Sequence, residues 1–110
     1  MNETTFNEIL SSLETLLGVT EEGDIAVLTE VLKDAIAEIK DARHYPSDMS
    51  ASDIDADLQN YIANIKKLAK YDYNQVGVEY QTGHSENGIS RTYDDRRKCF
   101  DGVVAYSVQF

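Results

Sequence analysis

The chain carries a single cysteine, Cys99, so no disulfide can form within it, which fits a reducing compartment. No apolar run approaches the roughly 18 residues needed to cross a membrane. The opening MNETTFNEIL lacks both a basic region and an apolar centre. No signal peptide is expected, and the chain reads as a soluble protein made in the cytoplasm. Tightly spaced ligand pairs such as CxxC or HxxxH are missing. So are a G-x-S-x-G elbow, a phosphate-binding glycine loop and paired carboxylates in an apolar setting. His84, Glu86 and Cys99 make a metal or catalytic site only on paper, and His44 is far off in a polar loop. No metal, cofactor or catalytic residue is expected, and the chain reads as a non-enzyme. Arg96, Arg97 and Lys98 beside Cys99 would lower a thiol pKa. The better reading puts Cys99 and Phe100 against a small core.

Basic residues are also scarce, and unevenly so. Met1 to Asn64 holds fourteen acidic and three basic residues, and Ile65 to Phe110 holds six and seven. The net charge is −10. Such a surface repels phosphate and argues against ordinary DNA or RNA binding, although a wall that DNA slides past gains from repulsion. A length of 110 residues suits one domain. Its 42% apolar share supports a modest core, with some apolar surface left over for a partner chain. Within that single domain, 1–110, the reading places a helical body over about 4–73, an extended arm over about 74–93 and a turn plus strand over about 94–110.

Three helices are predicted. In the first, Thr4 to Leu17, residues Phe6, Ile9, Leu10, Leu13, Leu16 and Leu17 share one face. Thr4 or Thr5 caps its start, Glu8 sits in capping-box spacing to Thr5, and Gly18 is the left-handed stop. The second runs from about Asp24 to Ala42, with Ile25, Leu28, Leu32, Ala35, Ile36 and Ile39 as its stripe and Val27 and Val31 widening it. That breadth makes it either central in a bundle or packed on two partners. Pro46 and its polar neighbours then break the chain over Arg43 to Ser52, a long connection that is either mobile or a contact surface. The third helix covers about Asp53 to Tyr73, capped by Ser52, with Asp53, Asp55 and Asp57 at its start and Lys66, Lys67 and Lys70 near its end, as the helix dipole favours.

From Val76 the pattern changes. Val76, Val78 and Tyr80 alternate with Gly77 and Glu79, and Asn87-Gly88 is a turn dipeptide. A loose hairpin or long extended loop is predicted from Val76 to Tyr93, then a further turn or short helix over DDRRKCF ended by Gly102. The closing VVAYSVQF alternates as a strand that has little to pair with locally and suits addition to a neighbour's sheet. The fold class is therefore mainly α: a small three-helix bundle with an extended arm and a short C-terminal strand. The run HSENG is either a solvated turn or a contact loop, flanked by Tyr71, Tyr73, Tyr80, Tyr93 and Arg91, residue types that dominate interface hot spots.

The run YNQVGVEYQTGHSENGISRTY resembles the C-terminal signature of the phage head–tail connector family, small adaptor proteins of long-tailed double-stranded DNA phages. Members typically read close to YNxxGxExxxxHSENGxSRxY. The matching residues are Tyr73, Asn74, Gly77, Glu79, His84, Ser85, Glu86, Asn87, Gly88, Ser90, Arg91 and Tyr93. Leu16-Leu17-Gly18, the acidic turn after it and the long second helix are similar to the family as well. The resemblance covers about Phe6 to Tyr93, and the tail DRRKCFDGVVAYSVQF departs from it.

The resemblance implies a structural virion protein at the head–tail junction. It implies a ring beneath the portal, with neighbouring copies of the chain, the portal protein and a tail-side completion or stopper protein as partners. A portal of about twelve-fold symmetry favours about twelve copies. DNA passes through the channel without specific binding, and no membrane is involved. The twelve matching residues are the expected portal or subunit interface, with Arg91 and Tyr93 anchoring the arm. Two other readings fit the composition: an acidic DNA mimic that occupies a phosphate site, and a small protein-binding module.

Overall fold

The computed structural model describes residues 1–79 and 95–106. The first helix, α1, spans Glu3–Leu17. Its cap is Asn2, one step ahead of the expected threonines: the Asn2 carboxamide oxygen accepts from the Thr5 N–H at 2.8 Å. Gly18 stops it as expected, in the left-handed region at φ 67°. The Val19 N–H then reaches the Glu14 carbonyl at 2.9 Å, and Val19 turns into the core.

Helix α2 spans Glu22–Arg43 and carries the core on one stripe: Leu28, Leu32, Ala35, Ile36 and Ile39. Its roughly 33 Å length makes it the spine of the molecule. It ends where His44 enters the left-handed region at φ 50°, ahead of Pro46. The expected third helix is two. Helix α3 spans Ala51–Leu58, a single tight turn follows at Gln59–Tyr61, and α4 spans Ile62–Glu79. The cap of α3 is Ser50, whose hydroxyl accepts from the Asp53 N–H at 3.1 Å, so the helix starts before the expected Ser52.

Val76 to Glu79 are helical, which overturns the strand predicted to begin at Val76, and the arm predicted from Asn74 starts no earlier than residue 80. The reason lies in the longer period. Ile65, Ala69, Tyr73 and Val76 continue one helical stripe, and Val76 is half-buried. Five residues of alternation do not compete with that continuity, even with the cost of about 1 kcal/mol for Gly77 in a helix. The remainder of the predicted hairpin, through Tyr93, lies outside the described residues.

One cluster holds the fold: Ile9 and Leu13 from α1, Val19, the α2 stripe, Leu58 from α3, Ile65, Leu68 and Ala69 from α4, and Cys99. The most extensive packing is between α2 and α4, with α1 against both. The two partners run antiparallel, since Arg43 at the end of α2 meets Asp57 and Tyr61, whereas the charge of Asp24 near its start reaches Tyr73. Leu16 and Val27 depart from their expected places in the core and are exposed.

From residue 95 the described chain lies on the body. Residues 95–98 form one helical turn, as expected for DDRRKCF, and Gly102 at φ 84° closes the loop behind it. Cys99 is buried and Phe100 packs against the same core. Val103 to Tyr106 form no strand, which corrects the first half of the predicted C-terminal strand; residues 107–110 lie outside the described set. Two backbone groups of residues 103–106 go instead to the end of α2: the Tyr106 N–H donates to the Arg43 carbonyl, and the Val104 carbonyl accepts from the Arg43 side chain. The strand reading failed because an extended segment needs an edge to pair with, and among the described residues the body offers only helices.

Candidate functional site

Three polar clamps fasten residues 95–106 to the helical body, and all three arise from groups that helix periodicity alone does not flag. The first is Arg43. It stands four residues after Ile39, where the α2 stripe would place another apolar side chain, and it is buried. Its Nε and Nη2 donate to the two carboxylate oxygens of Asp57, each at 2.9 Å, and its Nη1 donates to the Val104 carbonyl at 2.8 Å. The Tyr45 hydroxyl donates to Asp57 at 2.6 Å. Tyr61, Tyr106 and Tyr45 surround the guanidinium, with ring centroids 4.7, 5.2 and 5.8 Å away. Among the described residues no buried side-chain polar atom is left without a partner.

The protonation of this group is consistent throughout. Burial opposes the charge on Arg43, but its hydrogen bonds and the Asp57 carboxylate outweigh it, and the pKa is raised. Burial likewise opposes the charge on Asp57, but the bonds from Arg43 and Tyr45 prevail and its pKa is lowered. Burial, then the bond to Asp57, pushes the Tyr45 phenol well above its usual range.

The second clamp is Arg96. Its Nε and Nη2 grip both oxygens of Asp72 on α4 at 2.8 and 3.0 Å, and Nη2 also reaches Glu38 on α2. The hydrogen bond to Asp72 raises its pKa despite partial burial. The third is Asn64, whose side-chain amide donates to the Cys99 and Asp101 carbonyls, both at 2.9 Å. Between them sits the Cys99 thiol, which burial pushes up in pKa. That is opposite to an activated nucleophile, whatever the nearby arginines would do in water.

The expected interface residues fall into two groups. Tyr73, Asn74, Gly77 and Glu79 are on the last turns of α4. Tyr73 is half-buried against the core, and burial followed by the charge of Asp24 raises its pKa. Asn74 is exposed and lines a shallow cleft with Lys67, Lys70, Tyr71, Lys98 and Asp101. His84, Ser85, Glu86, Asn87, Gly88, Ser90, Arg91 and Tyr93 lie outside the described residues. The structure adds Arg43, Asp57, Asn64, Asp72 and Arg96, which hold the return of the chain at residue 95 against α2 and α4. Large apolar side chains remain in the open next to the first clamp: Val104 is 61% exposed and Tyr106 41%.

Among the described residues, no group of three or more His, Cys, Asp or Glu is placed to hold a metal ion, and no helix is long and apolar enough to cross a membrane. Neither the curated proteins nor the solved structures yield a match to this chain. A family model described as phage gp6-like head-tail connector protein matches residues 7–101. The match runs past Tyr93 through the turn held by Arg96 and Asn64, so the family resemblance reaches further into the tail than the sequence motif does. This chain belongs to the phage gp6-like head-tail connector family.

Proposed function

We propose that this protein is one subunit of an adaptor ring at the head–tail junction of a long-tailed phage. The ring sits beneath the portal, extends its channel and presents a surface to a tail-side completion or stopper protein. About twelve copies would match a portal of about twelve-fold symmetry. The observation that carries this reading is the family match over residues 7–101. The clamps support it, because they hold the chain from residue 95 onward against α2 and α4, while on the other side of the HSENG motif the chain is part of α4 up to Glu79. A motif so mounted can reach the portal or the next copy, with Arg91 and Tyr93 as its anchors and Tyr73, Asn74, Gly77 and Glu79 at its root. DNA moves through without specific contacts, helped by the net charge of −10.

The mimic reading has no comparable support. The acids on the outer side of α2 are interleaved with Lys33 and Lys40 rather than set in an unbroken ladder, and Lys33 is 3.4 Å from Glu30. The adaptor role is tested by removing the gene from the phage. The expected result is filled heads and free tails that fail to join, restored by wild-type protein but not by an Arg91→Ala or Tyr93→Ala variant. Normal joining in its absence would overturn the role, and full restoration by both variants would remove the anchors.

A further inference from the structure

The inner faces of α2 and α4 pack on each other, so their outer faces point to opposite sides of the molecule. On α2 the outer face is a regular row, Val27, Glu30, Asp34, Ala37 and Asp41, spaced three and four residues apart and exposed throughout. On the α4 side the outer face is a second row with the same spacing: Asn60, Ala63, Lys67, Lys70 and Asn74. The first row is acidic, with an apolar and a small residue. The second is basic, with a small residue and two amides. Lys67 is exposed and Lys70 half-buried, in a chain whose net charge is −10. Their surroundings are mixed, with Asp95 and Asp101 across the cleft and Lys98 beside them, while on α2 Lys33 partly offsets Glu30 and Lys40 stands next to Asp41.

We infer that the outer face of α2 docks on the outer face of α4 in a neighbouring copy of this chain, with Asp34 and Asp41 against Lys67 and Lys70. Charge complementarity selects this occupant, and Ala37 and Ala63 let the backbones approach closely. Because the two faces lie on opposite sides of one subunit, the contact is head-to-tail and repeats until the ring closes. The inference rests on the adaptor-ring reading and specifies which surfaces build the ring. It shares only Asn74 with the motif interface and leaves the motif residues from His84 to Tyr93 to the portal.

The test uses two charge-reversed full-length chains, Asp34→Lys/Asp41→Lys and Lys67→Glu/Lys70→Glu. Helix content by circular dichroism confirms that each is folded. Ring formation is followed by sedimentation and electron microscopy, alone and with the portal protein of the same phage. Each variant by itself should lose ring-sized species, with association weakened about a hundredfold or more, because like charges now meet. Mixed in equal amounts, the two should recover rings, since every contact in an alternating ring is again between opposite charges. Wild-type rings accompanied by rings of either variant alone would overturn the docking and leave the adaptor reading standing. Variants that keep their own rings but no longer stack on the portal would also overturn it, by assigning these faces to the portal. A wild type that forms no ring even with the portal would overturn the adaptor reading and this inference with it.

Discussion

Arg43 and Asp57, fourteen residues apart in sequence, form a two-pronged ion pair whose side chains are only 8% and 13% exposed. The same guanidinium holds the Val104 carbonyl, so one side chain ties the end of α2 to α3 and to the C-terminal segment. Breaking a buried pair from one side leaves an uncompensated charge, at a cost of about 3–5 kcal/mol. Arg43→Ala should therefore lower the stability by about that amount in urea unfolding. Arg43→Lys, which keeps the charge but loses the fork, should fall in between. A loss under about 1 kcal/mol for alanine would contradict the role given to Arg43.

The same cluster sets the acid limb of stability. The folded-state pKa of Asp57 is lowered, so its contribution is fully present above the unfolded value of about 3.9 and is lost as pH falls through the folded value. The unfolding midpoint should drop below about pH 4, and Asp57→Asn should flatten that drop while lowering the plateau. An acid limb unchanged by Asp57→Asn would assign it elsewhere.

At alkaline pH the sign reverses. Burial raises the pKa of Cys99, and it raises those of Tyr45 and Tyr73 as well. Groups with raised values stabilise fully below their unfolded pKa and lose that contribution as pH climbs through the folded one. Stability should begin to fall near the ordinary thiol range of about 8.5 and steepen beyond about pH 10. Cys99→Ala should remove the first part and Tyr45→Phe part of the second. Equal alkaline limbs in all three proteins would rule these groups out.

Cys99 makes a further kinetic prediction. The residue is 7% exposed, and its thiol is harder to ionise than usual. Alkylation by iodoacetamide at neutral pH should be slower in the folded protein than in urea by about a hundredfold or more, since only the thiolate reacts and it must first be uncovered. Comparable rates would show that residues 95–101 do not stay on the body.

Gly18 adopts φ 67° with open space where a Cβ would go. Gly18→Ala therefore meets no clash, and its cost is the left-handed backbone alone, about 1 kcal/mol. A calorimetric scan should show that loss, and an unchanged midpoint would contradict the stop assigned to this residue.

The bundle was legible because Leu28, Leu32, Ala35 and Ile39 repeat at the helical period and Gly18 marks a stop. The same rule misplaced Leu16 and Val27, whose stripes are wider than the surface the neighbouring helices cover. Alternation over Val76 to Glu79 misled because it is shorter than the helical stripe it interrupts. The clamps were legible only as an anomaly. An arginine stands where the α2 stripe calls for an apolar side chain, but its partners are fourteen and sixty-one residues away. Such pairings are set by how the helices pack, which no local pattern encodes. The motif from Tyr73 to Tyr93 pointed to the family, and the packing shows what holds the chain before residue 80 and after residue 94.

The most direct measurement of the adaptor role is electron microscopy of this protein mixed with the intact portal of the same phage. The proposal predicts a single ring of the protein stacked coaxially on the portal, its channel continuous with the portal's and its copy number matched or simply related to the portal's symmetry. Portals that stay bare at saturating protein would contradict it.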